Sequence, residues 1–420
     1  MNHNGTSTPP TPADFDCDLR WQEDFYQHLH ANPELSGHEA ETAAAIAAKL
    51  ADFECKVTTS IGGHGITAVF SNGPGATVLM RADFDALPVK ETTGVFYAST
   101  KEMPWQDGTT PVMHACGHDL HVTALLGVCA MLDSNRDKWS GTFIALFQPS
   151  EENGLGALSM VDSGLGEVIP RPDVCFGQHV VAGRAGNVMS MPGAILAACD
   201  SIEITITGKS AHGSMPHASI DPTFAAAMIV IRLQGIVGRE IPPEEFAVVS
   251  VGTLESGRSN NTIPHQARLV LNCRTYNDAI KAQLYSAIER VVRAECAASG
   301  IQEEPTFRYF GTGPVTDNSV AVFDKVRPLF DAHFAARSVT ATPWSASEDF
   351  SHIPRSFDCP YLFWFVGATP ADQWDAAAAA GTIAETIPVN HMGTFLPDFS
   401  PTVTAAQEAG LIATLAYLAR

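Results

Sequence analysis

Apolar runs alternate along the chain with segments of helical character. Residues 77–81, 142–147 and 173–176 are apolar runs of strand length, and residues 120–132 have a helical pattern between the first two. The same rhythm returns near the carboxyl terminus with an apolar run and a final helical segment. Because strands and helices take turns, the pattern predicts an α/β domain with a largely parallel sheet.

A different rhythm occupies residues 198–313. Residues 202–207 (IEITIT) alternate strictly between apolar and polar positions, which predicts a strand with one wet face. Asp221 and Pro222 then mark the start of a helix. A strand, a strand, a helix and a strand follow, at residues 247–251, 268–273, 278–297 and 306–310. The order β-α-β-β-α-β is that of a ferredoxin-like unit.

We therefore expect an inserted domain at residues 198–313. The larger α/β domain would be discontinuous, built from residues 17–197 and 314–420. Residues 1–16, with Thr and Pro at 8–12, predict a flexible tail.

The first helix is predicted from a capping pattern. Residues 36–39 (SGHE) have capping-box spacing, in which Ser36 and Glu39 bond to the backbone at a helix start. The Ala-rich stretch that follows, as far as Leu50, has high helix propensity.

Composition narrows the class of partner. Of 420 residues, 45% are hydrophobic, which is ample for a core, and 25 basic against 46 acidic residues give a net charge of −21. This balance argues against nucleic acid or an anionic membrane as partner.

With no apolar run near the ~20 residues of a membrane helix and no signal-peptide pattern, we expect a cytoplasmic protein. Its nine cysteines, without a Cys-x-x-Cys pair, predict buried thiols rather than disulfides.

The densest chemical cluster is residues 113–121 (MHACGHDLH), just ahead of a predicted helix. Cys116 and His118 lie two residues apart on a loop and suit a borderline-soft ion such as zinc. The alternative is a helix-start loop with surface histidines and a packed thiol.

Two adjacent carboxylates, Glu151 and Glu152, follow the strand at residues 142–147. Ligands bind at this end of the strands in an open α/β sheet. One carboxylate would bind a metal while the other takes a proton from water. The alternative is a solvated helix start, where acids are favoured by the dipole.

Two further histidines, His179 and His391, lie at comparable strand ends, although either would also suit a satisfied core position. Together the candidates are too many for one zinc site with an open position and favour a dinuclear centre. They are Cys116, His118, Glu152, His179 and His391.

In the inserted domain, His212 directly follows the first strand, and Asn261 and Arg274 lie in the same domain. Together these side chains could hold an oxyanion and a carboxylate. A loop histidine is more often simply exposed to solvent.

Four motifs resemble the amidohydrolase branch of the aminoacylase and carboxypeptidase metallopeptidases, which includes hippurate hydrolase and auxin-conjugate hydrolases. The likeness runs in order over nearly the whole chain, from about residue 24 to 419. The motifs are residues 81–88 (RADFDALP), 114–119 (HACGHD), 148–152 (QPSEE) and 347–351 (SEDFS).

The resemblance implies two divalent ions, zinc before manganese or cobalt, and Glu151 as general base. The implied ligands are Cys116, His118, Glu152, His179 and His391. It implies that His212 stabilises the oxyanion, and that Asn261 and Arg274 bind the substrate carboxylate. The peptidase branches carry His-x-Asp where this chain has Asp83-Phe84-Asp85, so Asp85 would support a ligand rather than bind metal. It further implies a homodimer in which the inserted domain pairs the subunits or acts as a lid, with His212 crossing to the partner.

These observations predict a metal-dependent hydrolase of N-acyl amino acids that releases a carboxylic acid and a free amino acid. A dipeptidase or carboxypeptidase with the same dinuclear chemistry is the nearest alternative. A cysteine hydrolase with Cys116 as nucleophile would leave the paired acids without a role. A non-catalytic metal-binding dimer would not need Glu151.

Overall fold

The computed structural model describes residues 11–420, which divide into two compact units. The first comprises the chain up to Ile195, Asp317–Thr342 and Asp349–Arg420, and the second comprises Leu196–Thr316 and Pro343–Glu348. The predicted tail, residues 1–16, lies mostly outside the described residues. In its described part, Pro12–Asp14 form a 3-10 helix and Phe15 is buried.

The strands of the described chain are β1 (Lys56–Ile61), β2 (Gly65–Asn72), β3 (Thr77–Asp83), β4 (Glu102–Trp105), β5 (Gly108–Pro111), β6 (Gly141–Gln148), β7 (Val174–Arg184), β8 (Val188–Ser190), β9 (Gly193–Leu196), β10 (Ala198–Thr207), β11 (Ala211–His212), β12 (Ala247–Ser256), β13 (Thr262–Ile263), β14 (Gln266–Thr275), β15 (Thr306–Gly313), β16 (Thr316–Asn318), β17 (Ser338–Thr340) and β18 (Tyr361–Thr369).

The α-helices are α1 (Gln22–Ala31), α2 (Ala40–Leu50), α3 (His118–Ser134), α4 (Gly156–Asp162), α5 (Leu165–Val168), α6 (Pro222–Arg239), α7 (Asp278–Ala298), α8 (Val320–Phe334), α9 (His352–Ser356), α10 (Ala371–Ala380), α11 (Ile383–Thr386) and α12 (Phe399–Leu418). Among the described residues, no helix has both the length and the apolar character that crossing a membrane requires.

The first unit is built on an eight-stranded sheet in the order β1-β2-β6-β3-β7-β18-β8-β17. Its centre, β6-β3-β7-β18, is parallel, as the alternating pattern predicts. The α/β class is confirmed, but the sheet is mixed, since β1-β2, β2-β6 and β18-β8 pair antiparallel. A short loop joins β1 and β2 into an antiparallel hairpin. The periodicity of the sequence did not predict this hairpin.

Helix α3 lies at the core of the first unit. All but its last two residues are buried, and it packs against α12 and against the sheet. Burial on every side explains why its sequence shows little amphipathic character. Since α3 begins at His118, this packing holds the amino end of the helix firmly at the carboxyl edge of the strands.

The second unit contains a four-stranded antiparallel sheet in the order β12-β14-β10-β15. Along β10, buried and partly exposed residues alternate without interruption, which confirms the expectation of a strand with one wet face. Helices α6 and α7 contribute Ile229, Leu233 and Leu284 to its core, and β14 contributes Leu269 and Leu271.

The predicted capping box at α2 is wrong, although the helix itself is present. Neither side chain bonds to the helix start. Instead, Ser36 Oγ donates to Asp85 Oδ2 at 2.7 Å, and Glu39 Oε1 accepts from the amide of Ser150 at 2.9 Å. Partners far along the chain therefore replace the local bonds that the spacing suggested.

Candidate metal centre

The candidate ligands come from three loops, the first residue of α3 and one strand of the first unit. Cys116 and His118 flank Gly117, whose φ is +82° and where a Cβ would lie 2.4 Å from Val180 Cγ2. Only glycine allows this close approach to β7. The tight turn sets both side chains at the amino end of α3, next to the strand that carries His179.

His391 reaches the cluster from a loop near the carboxyl terminus. Its φ is +73°, a left-handed conformation that is uncommon outside glycine, and its amide donates to Ala115 O at 2.8 Å. The amide of the preceding Asn390 side chain donates to Val180 O at 2.9 Å. These bonds bring a residue from 275 positions away against Cys116.

One group of donors is formed by Cys116, Glu152 and His391. Cys116 Sγ lies 3.3 Å from His391 Nε2, and His391 Nε2 lies 3.4 Å from Glu152 Oε2. Cys116 Sγ is also 3.4 Å from His179 Nε2. Two ligand atoms on one tetrahedral zinc ion are separated by roughly 3.3–3.7 Å, so these spacings fit.

A second group lies around His118. Its Nε2 is 3.8 Å from Glu152 Oε1 and 4.0 Å from Glu151 Oε2, with Asp83 Oδ2 at 3.6 Å. Both His118 Nε2 and Glu152 Oε1 are buried without a hydrogen-bond partner in the described residues. Such orphaned atoms are costly unless something else satisfies them. Glu152 thus turns one oxygen to each group, which suits a carboxylate shared between two ions.

Asp85 orients the ligands without joining them. Its Oδ1 and its backbone oxygen lie 3.2 and 2.9 Å from His118 Nδ1, and its Oδ2 accepts from the amide of Glu152 at 3.0 Å. With Nδ1 donating to oxygen, His118 presents Nε2 to the cluster. His179 is oriented in the same way, since its Nδ1 donates to Val180 O at 2.7 Å.

The sequence did not predict the buried hydrogen-bond network that lies beside the candidate ligands. Asp83 accepts from Arg81 Nη1 at 2.6 Å and from His121 Nδ1 at 2.5 Å, and His121 Nε2 accepts the amide of Val180 at 2.8 Å. His121 therefore has both ring nitrogens engaged and is not available as a ligand. The available signals were a buried-strand arginine and a histidine one helical turn after His118.

Negative charge dominates the electrostatics of the cluster. Burial opposes protonation of His118, but Asp83 and Asp85 outweigh it and raise its pKa to about 10. Burial raises the pKa of Glu152 to about 7 and that of Cys116 well above its usual value. Apart from Arg81, which pairs with Asp83, the cluster consists of carboxylates, imidazoles and a thiol, a donor set that divalent ions neutralise. The residues therefore fit a metal pair.

The second unit brings only two of its three candidates together. In the β11-β13 pair, His212 lies opposite Thr262, and the amide of Gly213 donates to Asn261 O at 2.6 Å. Arg274 pairs with Cys199 at the far end of β14, roughly 27 Å along the strand from Gln266. Its guanidinium instead donates to Asn272 Oδ1 and Ser345 O.

Comparisons with known proteins agree with this geometry. The model of peptidase family M20/M25/M40 matches residues 79–388. A putative amidohydrolase, YhaA of Bacillus subtilis, is 34% identical over 347 residues, covering 82% of this chain and 84% of the relative. Hippurate hydrolase of Campylobacter jejuni is 33% identical over 351 residues, covering 82% and 88%.

Among solved structures, the Bacillus subtilis YxeP protein, described as a dinuclear metal-binding peptidase of the M20 family, superposes with a TM-score of 0.75. It is 26% identical, and the match covers 94% of this chain and 98% of that one. These matches confirm the predicted resemblance and the prediction of a metal-dependent hydrolytic enzyme. The chain belongs to the peptidase family M20/M25/M40.

Proposed function

We propose that this enzyme hydrolyses the amide bond of N-acyl amino acids to a carboxylic acid and a free amino acid. The observation that carries the proposal is the pair of buried, unbonded atoms His118 Nε2 and Glu152 Oε1, which face each other within a cluster of thiol, imidazole and carboxylate groups. The C. jejuni relative supports the substrate class, since hippurate is an N-acyl amino acid.

Two divalent ions would be held by the five candidate ligands, and zinc suits a set with thiolate and imidazole best, ahead of manganese and cobalt. When bound, such ions lower the pKa of water and polarise a carbonyl. The ligands are Cys116, His118, Glu152, His179 and His391.

Glu151 would act as the general base. It accepts a proton from the attacking water, the carbonyl carbon gains that oxygen, and the C–N bond then breaks. Glu151 returns the proton to the leaving amine. Its Oε2 lies 4.0 Å from His118 Nε2, so it borders the cluster while its neighbour Glu152 enters it.

A cysteine-hydrolase mechanism is disfavoured by the surroundings of Cys116. A nucleophilic cysteine needs a lowered pKa in an electropositive setting. Burial raises the pKa of this thiol, and the charges of Glu152 and Glu151 raise it further. Cys116 is better suited to binding metal.

The second unit would be a ferredoxin-like domain that pairs two subunits, delivering His212 to the oxyanion in the partner's site. His212 and Asn261 are exposed and adjacent, and in the described sheet β12 is an edge strand. The side chains of Phe224 and Ile231 on α6 are also exposed, at 61% and 66%. An open edge beside apolar side chains suits a symmetric interface. Arg274 would bind the substrate carboxylate. Asn261 lies at the opposite end of β14, too far from Arg274 within one subunit to bind the same group.

A cytoplasmic location is part of the proposal and is supported by the cysteines. All nine are free thiols in the described residues, as expected for a reducing compartment.

The test is a hydrolysis screen of the metal-loaded enzyme. N-acyl amino acids are compared with dipeptides that carry the same carboxyl-terminal residue, so that only the free amine differs. We expect the acyl compounds to be hydrolysed with the higher kcat/KM. A higher kcat/KM for the dipeptides would indicate that the enzyme is a dipeptidase. Equal turnover by a verified metal-free sample would show that the reaction does not depend on metal.

A further inference from the structure

A buried glutamate outside the candidate ligands contacts the residue before the paired acids. Glu39 is fully buried, and its Oε1 accepts three bonds, from the amide of Gly37 at 2.8 Å, the amide of Ser150 at 2.9 Å and Ser150 Oγ at 3.1 Å. Its Oε2 has no hydrogen-bond partner in the described residues. Holding a carboxylate in this environment is costly, so the contacts to Ser150 need an explanation.

Ser150 has an unusual backbone conformation. Its φ is +55°, in the left-handed region that non-glycine residues rarely adopt. Its carbonyl accepts the amides of Leu155 and Gly156, at 3.3 and 3.0 Å. The residue is therefore held on both sides, and its backbone angles decide where the next two side chains, Glu151 and Glu152, point.

The same short segment supports the paired acids from the other side. Ser36 Oγ donates to Asp85 Oδ2 at 2.7 Å, and that oxygen also accepts the amide of Glu152 at 3.0 Å. Residues 36–39 thus contact the residue before the acids directly and the second acid through Asp85. This segment lies outside residues 79–388, which the family model matches.

We propose that Glu39 is a positioning residue, which holds Ser150 at positive φ so that Glu151 faces the substrate and Glu152 the metal ligands. The inference rests on the proposed function for the roles of the two acids. It differs from a purely structural role, in which Glu39 would stabilise the start of α2 and leave the site geometry unaffected.

The experiment compares Glu39→Ala with a matched control, Glu34→Ala. Glu34 is a buried carboxylate five residues earlier. Its side chain bonds to Thr42, lies 3.9 Å from Lys101 Nζ and bonds to none of the candidate ligands. We measure kcat, KM, thermal unfolding, and the affinity and visible spectrum of bound Co²⁺ in both full-length variants. Glu39→Ala should lower kcat about 10²-fold with little change in KM. Its Co²⁺ affinity should fall by about 10-fold to 100-fold.

Glu34→Ala should lower stability but leave kcat and the cobalt spectrum close to those of the wild type. Glu39→Gln, which keeps an accepting oxygen in place, should recover most of the lost kcat. Ser150→Gly supplies the decisive test, because glycine adopts positive φ without help. In the Ser150→Gly background, the loss of kcat caused by Glu39→Ala should be roughly tenfold smaller, because glycine adopts the conformation that Glu39 otherwise stabilises at residue 150.

The inference is overturned if Glu39→Ala, like Glu34→Ala, leaves kcat and the cobalt spectrum close to those of the wild type. It is also overturned if the loss of kcat caused by Glu39→Ala is the same in the Ser150→Gly background. If Glu39→Ala does not fold, Glu39→Asp decides instead: it keeps the charge but withdraws the oxygen, and wild-type kcat in that variant would count against positioning. A wild type that fails on N-acyl amino acids would defeat the proposed function alone, because cobalt affinity and spectrum still judge Glu39.

Discussion

The candidate metal cluster of the first unit and the His212 loop of the second unit differ in how most of their side chains are presented. In the cluster, the side chains of His118 and Glu152 are buried, His179 is half-buried, and each is oriented by a bond to a neighbour; the side chain of His391, at 55% exposed, is the exception. The side chain of His212 is exposed, and its Nδ1 bonds to Ser214 in the same loop. A set of buried, oriented donors is assembled before any ligand arrives, whereas an exposed histidine needs a further surface to become part of a site.

The difference has an energetic side. The cluster concentrates carboxylates in a buried space, where like charges repel. Arg81 pairs with Asp83, and bound cations would offset the charge that remains. The loop of the second unit carries no such strain, because water solvates its polar groups. Loss of metal should therefore disable the first region, while changes in the second should alter kcat or substrate preference without loss of metal.

Removing the metal should have the largest effect. Chelation should abolish activity, and added zinc, manganese or cobalt should restore it, as followed by metal analysis and turnover. Cys116→Ser should weaken metal binding because a hydroxyl is a harder and poorer ligand than a thiolate. In the metal-loaded enzyme, iodoacetamide should leave Cys116 unmodified, and rapid alkylation of the loaded protein would contradict ligation.

Substitutions of the two adjacent acids should have different effects on metal content. Glu151→Gln should keep its metal but lose about 10²-fold to 10⁴-fold in kcat, the usual contribution of acid-base catalysis. Glu152→Gln should lose metal as well, since its two oxygens face both donor groups. Metal content by atomic spectroscopy checks the assignment, and the reverse pattern would make Glu151 the ligand.

His212→Ala should lower kcat by about 10²-fold to 10³-fold, the loss expected for one oxyanion donor, without changing metal content. Mixing this chain with a Glu151→Gln chain tests the proposed crossing between subunits. Each homodimer should be nearly inactive, and a mixed dimer should regain one complete site. Verified mixed dimers without activity, or a monomer by sedimentation, would count against the crossing.

Arg274→Lys should have a smaller effect, confined to the amino-acid side of the substrate. A guanidinium binds a carboxylate in two places and an ammonium does not. The wild type should prefer acyl amino acids over their amides, and the variant should narrow that gap about tenfold. Arg268→Lys on the same strand is the control, since Arg268 is engaged with Glu203 and Glu255. Equal wild-type rates on acid and amide would remove Arg274 from the site.

We expect the protonation of His30 to make the free energy of unfolding depend on pH, with little effect on kcat. Burial alone would lower its pKa, but Asp119 at 2.7 Å and Glu91 at 3.1 Å outweigh burial and raise the pKa to about 9. The pKa is higher folded than unfolded, so the stabilisation is complete below about pH 6.5 and disappears as pH rises through 9.

At most about 3 kcal/mol is involved for such a shift. Denaturant unfolding of the wild type and His30→Gln, at pH 6 and 9.5, measures the difference between them. His28→Gln, an exposed histidine of the same helix, is the control. A stability gap that does not narrow at pH 9.5 would show that protonated His30 is not the source.

Local sequence patterns predicted the features that depend on interactions between residues close in the chain. Strand and helix periods gave β3, β6, α3 and α12 within a few residues, and Cys-x-His and Glu-Glu spacing marked the candidate ligands. The prediction that His179 and His391 lie at strand ends is wrong, since His179 lies within β7 and His391 in the loop between α11 and α12. The roles of the site residues and the bounds of the inserted domain stay predictions.

Only the tertiary structure decided the contacts between distant segments. Residues 36–39 have capping-box spacing, yet Glu39 bonds to Ser150, 111 positions away. His121 and Arg81 close around Asp83, and Arg274 lies at the opposite end of β14 from the loop with Asn261. The chain by itself specifies period and motif, because these depend on neighbours within a few residues. Strand order and register, which no local spacing encodes, determine which buried carboxylate meets which partner.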